Sequence, residues 1–342
     1  MFEKQEQSAN NGSIALQSGR DSIVYIGISY ADAKNIAEDV FKNNFYKVSE
    51  IAANEVGKRL EYIINEIIKR FREYNPEGIV KFKEPGFQVA LYEVQKAYAK
   101  TGDINLADML VDMLIERSKH DERSYLQIVM DEAITVIPKL TTEHLNIMTN
   151  IFILWTLKND NISTYKGFIK FIKSIIEPFL FDNRRSYFSY LVYLGCITSN
   201  FFSEDIKNIF FKKYQGLFQK CSDVKNIEKF NNLDLFILCN NTNKYKIKAL
   251  NHKILEDKLC KGNIKENDKK FLHELFDKNF MDMNDIKNIC MRLYPNIEKI
   301  YYLWERTPLC SFHLTPVGNA IAYTNIKKHF GTWEEDISKV IN

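Results

Sequence analysis

A chain of 342 residues with a hydrophobic fraction of 45% and a net charge of only +3, from 47 basic and 44 acidic side chains, can bury a sizeable core. It carries too little net charge to argue for nucleic acid by itself. Its most apolar windows, 151–157 and 175–181, fall far short of the ~20 residues that a membrane-crossing helix needs, so no membrane span is expected. Such a composition is that of a globular protein in the cytoplasm, and it excludes neither an enzyme nor a binding module.

Residues 1–28 differ from the rest. A polar stretch at 8–12 precedes two short β-prone runs, 13–17 and 22–27, separated by Ser18-Gly19-Arg20-Asp21. Two strands alone are marginal in water, so this β-prone leader is expected to lie against the body or to pair with another copy, with Ile14, Leu16, Ile23 and Tyr25 as the self-association residues.

Ser29-Tyr30-Ala31-Asp32 reads as a helix start, with Ser29 as cap and Asp32 at the capping-box position. Apolar residues then recur at helical spacing from Ala33 to Phe41 and from Val48 to Phe71, until Tyr74-Asn75-Pro76-Glu77-Gly78 stops the pattern. Helices are expected at 88–100, 106–118, 125–137 and 144–157, and the short turns between them favour two antiparallel pairs, the first two and the last two. From 163 to 251 the pattern grows aromatic, with Phe168, Phe179, Phe181, Tyr187, Phe188, Tyr190, Tyr193, Phe210 and Phe211 among others. Rings beside Lys and Arg could stack nucleic-acid bases. At helical spacing they read better as core.

Polar stretches at 240–244 and 260–268 mark linkers, and a soft boundary falls at the second. Three helices follow, at 269–280, 284–293 and 296–305. A short strand at 311–314 then feeds a final helix, with Thr315 as cap and Pro316 in the first turn. The expected fold class is mostly α: a helical-hairpin array over 29–262, preceded by the leader and followed by a winged-helix-like C-terminal unit at 263–342.

The chemistry-bearing residues are sparse. Cys196, Cys221, Cys239, Cys260, Cys290 and Cys310 form no C-x-x-C, so buried free thiols are expected and no metal site. The six histidines are dispersed, with no two spaced to share one helix face, and His313 reads as a structural residue. Glu116-Arg117-Ser118-Lys119-His120-Asp121-Glu122-Arg123 reads as a hydrated turn between helices. No catalytic residue and no cofactor is expected. Residues 157–261 hold 18 basic against 10 acidic side chains. With Arg184 and Arg185 at a turn and Lys299 and Arg306 on a late helix, this excess offers the nucleic-acid contacts of the alternative reading, a DNA-binding regulator. The helix at 296–305 is otherwise apolar, which favours protein contacts: an assembly or partner-binding protein acting through a protein partner or self-association.

Leu16–Asp21, Ser29–Ala33 with Val40–Phe45, and Leu314-Thr315-Pro316-Val317-Gly318-Asn319-Ala320-Ile321-Ala322 together resemble an uncharacterised family of bacterial proteins. The terminal part is similar, more distantly, to proteins grouped as abortive-infection alpha. That resemblance implies a role in phage defence and supplies no catalytic residue.

Overall fold

The computed structural model describes residues 28–44, 50–159, 161–162, 164–182, 184–199, 203–223, 230, 234–239, 244–262, 264–278, 280–331 and 341. The leader positions Ile14, Leu16, Ile23 and Tyr25 lie outside the described residues. The protein is mostly α, and its chain divides into two compact units, 1–102 and 103–342.

The first unit holds α1 (Tyr30–Asn44), α2 (Glu50–Tyr74) and α3 (Pro85–Thr101). At the start of α1 the Ser29 hydroxyl accepts from the Asp32 N–H (3.1 Å) and the Asp32 carboxylate from the Ser29 N–H (3.0 Å), a reciprocal box with Asp in place of the usual Glu. Hydrogen bonding from Ser29 holds the Asp32 carboxyl below its ordinary range. Ile63, Ile64, Ile67, Ile68 and Phe71 of α2 are buried at the spacing of one helix face, and Phe71 packs edge-on against Phe82 and Phe87. The buried Gln95 amide donates to the Ala37 carbonyl (3.0 Å), tying α3 to α1. Gly102, at φ +65°, ends α3 in the left-handed conformation that glycine adopts without a steric penalty.

The second unit runs α4 (Ile104–Ser118), α5 (Tyr125–Val136), α6 (Thr142–Trp155), α7 (Tyr165–Ile176), α8 (Arg185–Tyr193), β1 (Ile197–Ser199) and α9 (Ile206–Lys213). It continues with β2 (Phe236–Leu238), β3 (Tyr245–Ile247), α10 (His252–Lys261), α11 (Glu266–Lys278), α12 (Met283–Leu293), α13 (Ile297–Arg306), β4 (Phe312–Leu314) and α14 (Pro316–Phe330).

The last helix is the centre of this unit. Thr315 caps it, its hydroxyl accepting from the Gly318 N–H (3.2 Å) while donating to the Gly195 carbonyl (2.6 Å). β4 pairs antiparallel with β1 in the register Ile197↔Leu314, Thr198↔His313, Ser199↔Phe312. At Gly318 a Cβ would run into the Cys196 carbonyl, so only glycine lets α14 start this close to the chain beyond α8. From there α14 packs on α4, α5 and α6, with Ala320, Ile321, Ala322, Tyr323, Thr324 and Ile326 all buried. Apolar side chains around much of its circumference mark a helix enclosed by others.

The helices fall where hydrophobic spacing predicts them, but their main partners differ. α5 packs chiefly on α4 and α14, and α6 chiefly on α14, so the expected α5–α6 pair is not the principal contact. The three late helices, strand and final helix are present in the order of a winged-helix unit. Their strand and last helix nevertheless belong to the packing of α4–α6 and β1.

The turn at 116–123 is exposed as expected at Lys119 and 121–123, but its first residues, which end α4, are not. Glu116 and Arg117 are buried: Glu116 accepts from Lys119 of its own turn and Lys327 of α14, both at 2.9 Å, and Arg117 pairs with Asp131 of α5. Burial would raise the Glu116 carboxyl, but Lys327 and Lys119 outweigh it and hold the group below its usual value.

A smaller core lies between the β2–β3 hairpin and α10–α11, built on Leu235, Ile247, Leu255, Leu259, Leu272 and Phe276. The buried Gln219 side chain fastens it, donating to the Phe276 carbonyl (3.0 Å) and accepting from the Ile247 N–H (3.2 Å). Cys221 and Cys239 are joined by a disulfide, so the expectation that most of the cysteines are buried free thiols does not extend to these two. Cys196 and Cys290 are buried and free as expected, whereas Cys260 is free but exposed.

Candidate functional site

The aromatic residues of 163–251 divide into two groups. Phe168 meets Phe210, Tyr214 and Phe218 edge to face, and together these rings form core. The tyrosines of α8 do not. Only Phe188 and Leu191 of that helix are buried, whereas Tyr190 and Tyr193 are 37% and 81% exposed. The core reading holds for Phe168, Phe179, Phe181, Phe188 and Phe210 and fails for these tyrosines.

They form a ladder at three-residue spacing. The Arg184 guanidinium lies 5.7 Å from the centroid of Tyr187. The His144 ring sits 5.1 Å from both Tyr187 and Tyr190, and Tyr190 stacks on Tyr193 at 6.2 Å. Positions three apart meet on a helix surface, so the ladder follows from sequence once α8 is placed.

The loop that carries Arg184 is pinned by α6. Asn150 donates to the Phe179 carbonyl (2.6 Å), Asn146 to the Leu180 carbonyl (3.1 Å), and Glu143 accepts from the Asp182 N–H (3.1 Å). His144 belongs to the same helix start: its Nδ1 accepts from the Thr141 N–H (3.1 Å), which leaves the proton of the neutral ring on Nε2. That Nε2 is buried with no hydrogen-bond partner among the described residues, and burial pushes the imidazole below its ordinary pKa. Neutral His144 thus serves as the rigid backing of the tyrosines.

Beside the loop lies a groove of about 460 Å³ between Leu180–Phe181 and the outer face of α13, lined there by Asn296, Glu298, Lys299, Tyr302 and Leu303. Lys299 is therefore in the groove, and Arg306 is exposed at the end of the same helix. Arg184 and Arg185 follow the 180–181 wall in the chain and are exposed, with Asp182 3.9 Å from Arg184. Acids alternate with these cations, Asp182 beside Arg184 and Glu298 beside Lys299, so the surface is mixed in sign.

Other candidates resolve as structure. The His313 ring packs against Trp155 at 4.5 Å. His252 and His273, on α10 and α11, stack at 5.8 Å. Each directs Nε2 at its own carboxylate, Asp277 (2.8 Å) and Glu256 (2.9 Å), so they do not aim at a common point. Among the described residues no group of three or more His, Cys, Asp or Glu side chains could hold a metal ion, and no helix is long and apolar enough to cross a membrane.

The fold and this surface define a mostly α protein with an exposed arginine–tyrosine face. A family model covers residues 27–341, and the chain belongs to that family, an uncharacterised one. No curated protein and no solved structure matches the chain.

Proposed function

We propose that this is a non-enzymatic binding protein that engages a protein partner through the α8 face, with the neighbouring α13 groove as rim. The observation that carries the reading is the ladder Arg184–Tyr187–His144–Tyr190–Tyr193, held rigid from below by α6 and left open above. Tyr and Arg are enriched at the energetic centres of protein interfaces, Tyr because it brings large contact area at small cost in rotamer freedom and Arg because its planar fork donates several hydrogen bonds and stacks on rings. The interleaved Asp182 and Glu298 favour a polypeptide partner over a polyphosphate backbone, which calls for cations of one sign.

A photo-crosslinking residue at 193 tests this, with position 170, exposed on α7, as control. The reading expects one protein to be captured from 193 only. It also expects that protein, once purified, to lose about 30-fold or more in affinity for the Arg184→Ala/Tyr193→Ala variant. Equal binding by wild type and variant would overturn it. So would tight binding of oligo(dT) that the variant abolishes, since stacked rings also serve single strands.

The phage-defence setting rests on the resemblance of 314–322 alone. Self-association through the leader is the second arm of the proposal, and an unchanged mass in light scattering after deletion of residues 1–28 would remove it.

A further inference from the structure

A second, smaller cavity borders the Leu235–Phe276 core beside the β2–β3 hairpin, with Ile247, Ala249 and Ile254 shared between the two. Residues alternate along β3: Ile247 and Ala249 enter that core, whereas Lys246 and Lys248 leave on the opposite face. Both border, with Lys258 of α10, a space of about 200 Å³ whose apolar lining includes Leu217, Ile237 and Ile254. Every charged residue lining it is a lysine.

The three lysines are unequally satisfied. Lys248 pairs with the Asp234 carboxylate, and Lys258 donates to the Asp234 carbonyl (3.1 Å). Lys246, half-buried and opposite Ile237, has no hydrogen bond or ion pair among the described residues, only the Tyr165 ring with its centroid at 5.5 Å. Burial lowers its affinity for a proton, and burial lowers that of Lys258 too, the opposing Asp234 carboxylate and the neighbouring Lys248 acting in contrary directions. Asp234 answers Lys248 and Lys258, so Lys246 is the half-buried cation left without an anion, and a cation held partly out of water without one is costly.

We infer that this cavity is a binding site for a small anion with a short apolar tail, a carboxylate or a phosphate monoester. The lysines would hold the head and the Leu217–Ile237–Ile254 wall the tail. The volume lies below the roughly 300–1,000 Å³ of pockets for drug-sized ligands, which suits a small molecule better than one the size of a nucleotide. This site is separate from the α8 face, and its test does not depend on that reading.

Isothermal titration of the full chain with butyrate, butyl phosphate and inorganic phosphate tests it. The inference expects one of the tailed anions to bind more tightly than inorganic phosphate, and the tailed anion that binds distinguishes carboxylate from phosphate. Lys246→Gln and, separately, Lys258→Gln should each weaken that binding about tenfold or more, because hydrogen bonds to charged groups are the strong ones. Lys170→Gln, on an exposed helix face, should bind as wild type. Absence of binding by all three anions would overturn the inference. So would equal binding by wild type and whichever of the two cavity variants retains the native circular dichroism spectrum.

Discussion

α14 and α8 are both short, both rich in apolar and aromatic side chains, and used in opposite ways. Most of α14 is covered: α4, α5 and α6 pack on it, Gly318 lets it start against the Cys196 carbonyl, and Lys327 reaches the buried Glu116. α8 buries two residues and leaves its arginine–tyrosine ladder in solvent. The lesson is that ring and charge content does not separate a folding residue from a binding one. What separates them is whether the fold itself supplies the partner.

Substitutions should break the two helices differently. The largest effect is expected at Glu116. Replacing it with Ala removes a buried carboxylate from Lys327 and Lys119, whose side chains stay 27% and 39% exposed, so the loss falls below that of a fully buried pair, at about 2–3 kcal/mol. Urea unfolding would measure this, and Lys327→Met added to Glu116→Leu should recover much of the loss. Next comes Gly318→Ala, whose Cβ forces α14 away from the Cys196 carbonyl at a cost of about 1–3 kcal/mol in the same assay.

A smaller effect is expected from pH. His144 titrates below its ordinary value in the fold because burial disfavours the imidazolium. The unfolded chain therefore binds the proton first, so stability is complete above the unfolded pKa of about 6.5 and declines as pH falls through it. His144→Gln keeps a side chain suited to the capping position while removing the titration, so its unfolding midpoint should vary less over that window. Smallest is Tyr193→Ala: a ring 81% exposed should change unfolding free energy by no more than about 0.5 kcal/mol.

Much of the fold was legible in the sequence, because apolar spacing places helices and caps end them. Ser29, Asp103, Thr315 and Gly102 mark the boundaries they occupy in the structure. Partner choice was not legible, since α14 closes on helices some 170–220 residues earlier and periodicity says nothing about which stripe meets which. The buried pairing of Glu116 with Lys327 follows from that same distant contact. The β2–β3 hairpin did leave a signal, the alternation Tyr245-Lys246-Ile247-Lys248-Ala249, which the surrounding helical pattern masked. For the site, Arg184 and Lys299 were visible as cations, whereas the tyrosine ladder looked like core because Tyr and Phe recur at one spacing. Only burial told them apart.

The most direct measurement compares affinity for the crosslinked protein partner across two double variants of the full chain, each with its unfolding curve. The account predicts that Arg184→Ala/Tyr193→Ala loses about 30-fold or more in affinity with unchanged stability, while Lys299→Ala/Arg306→Ala loses less than about fivefold. The reverse order, or a loss at α8 that tracks a fall in stability, would contradict it.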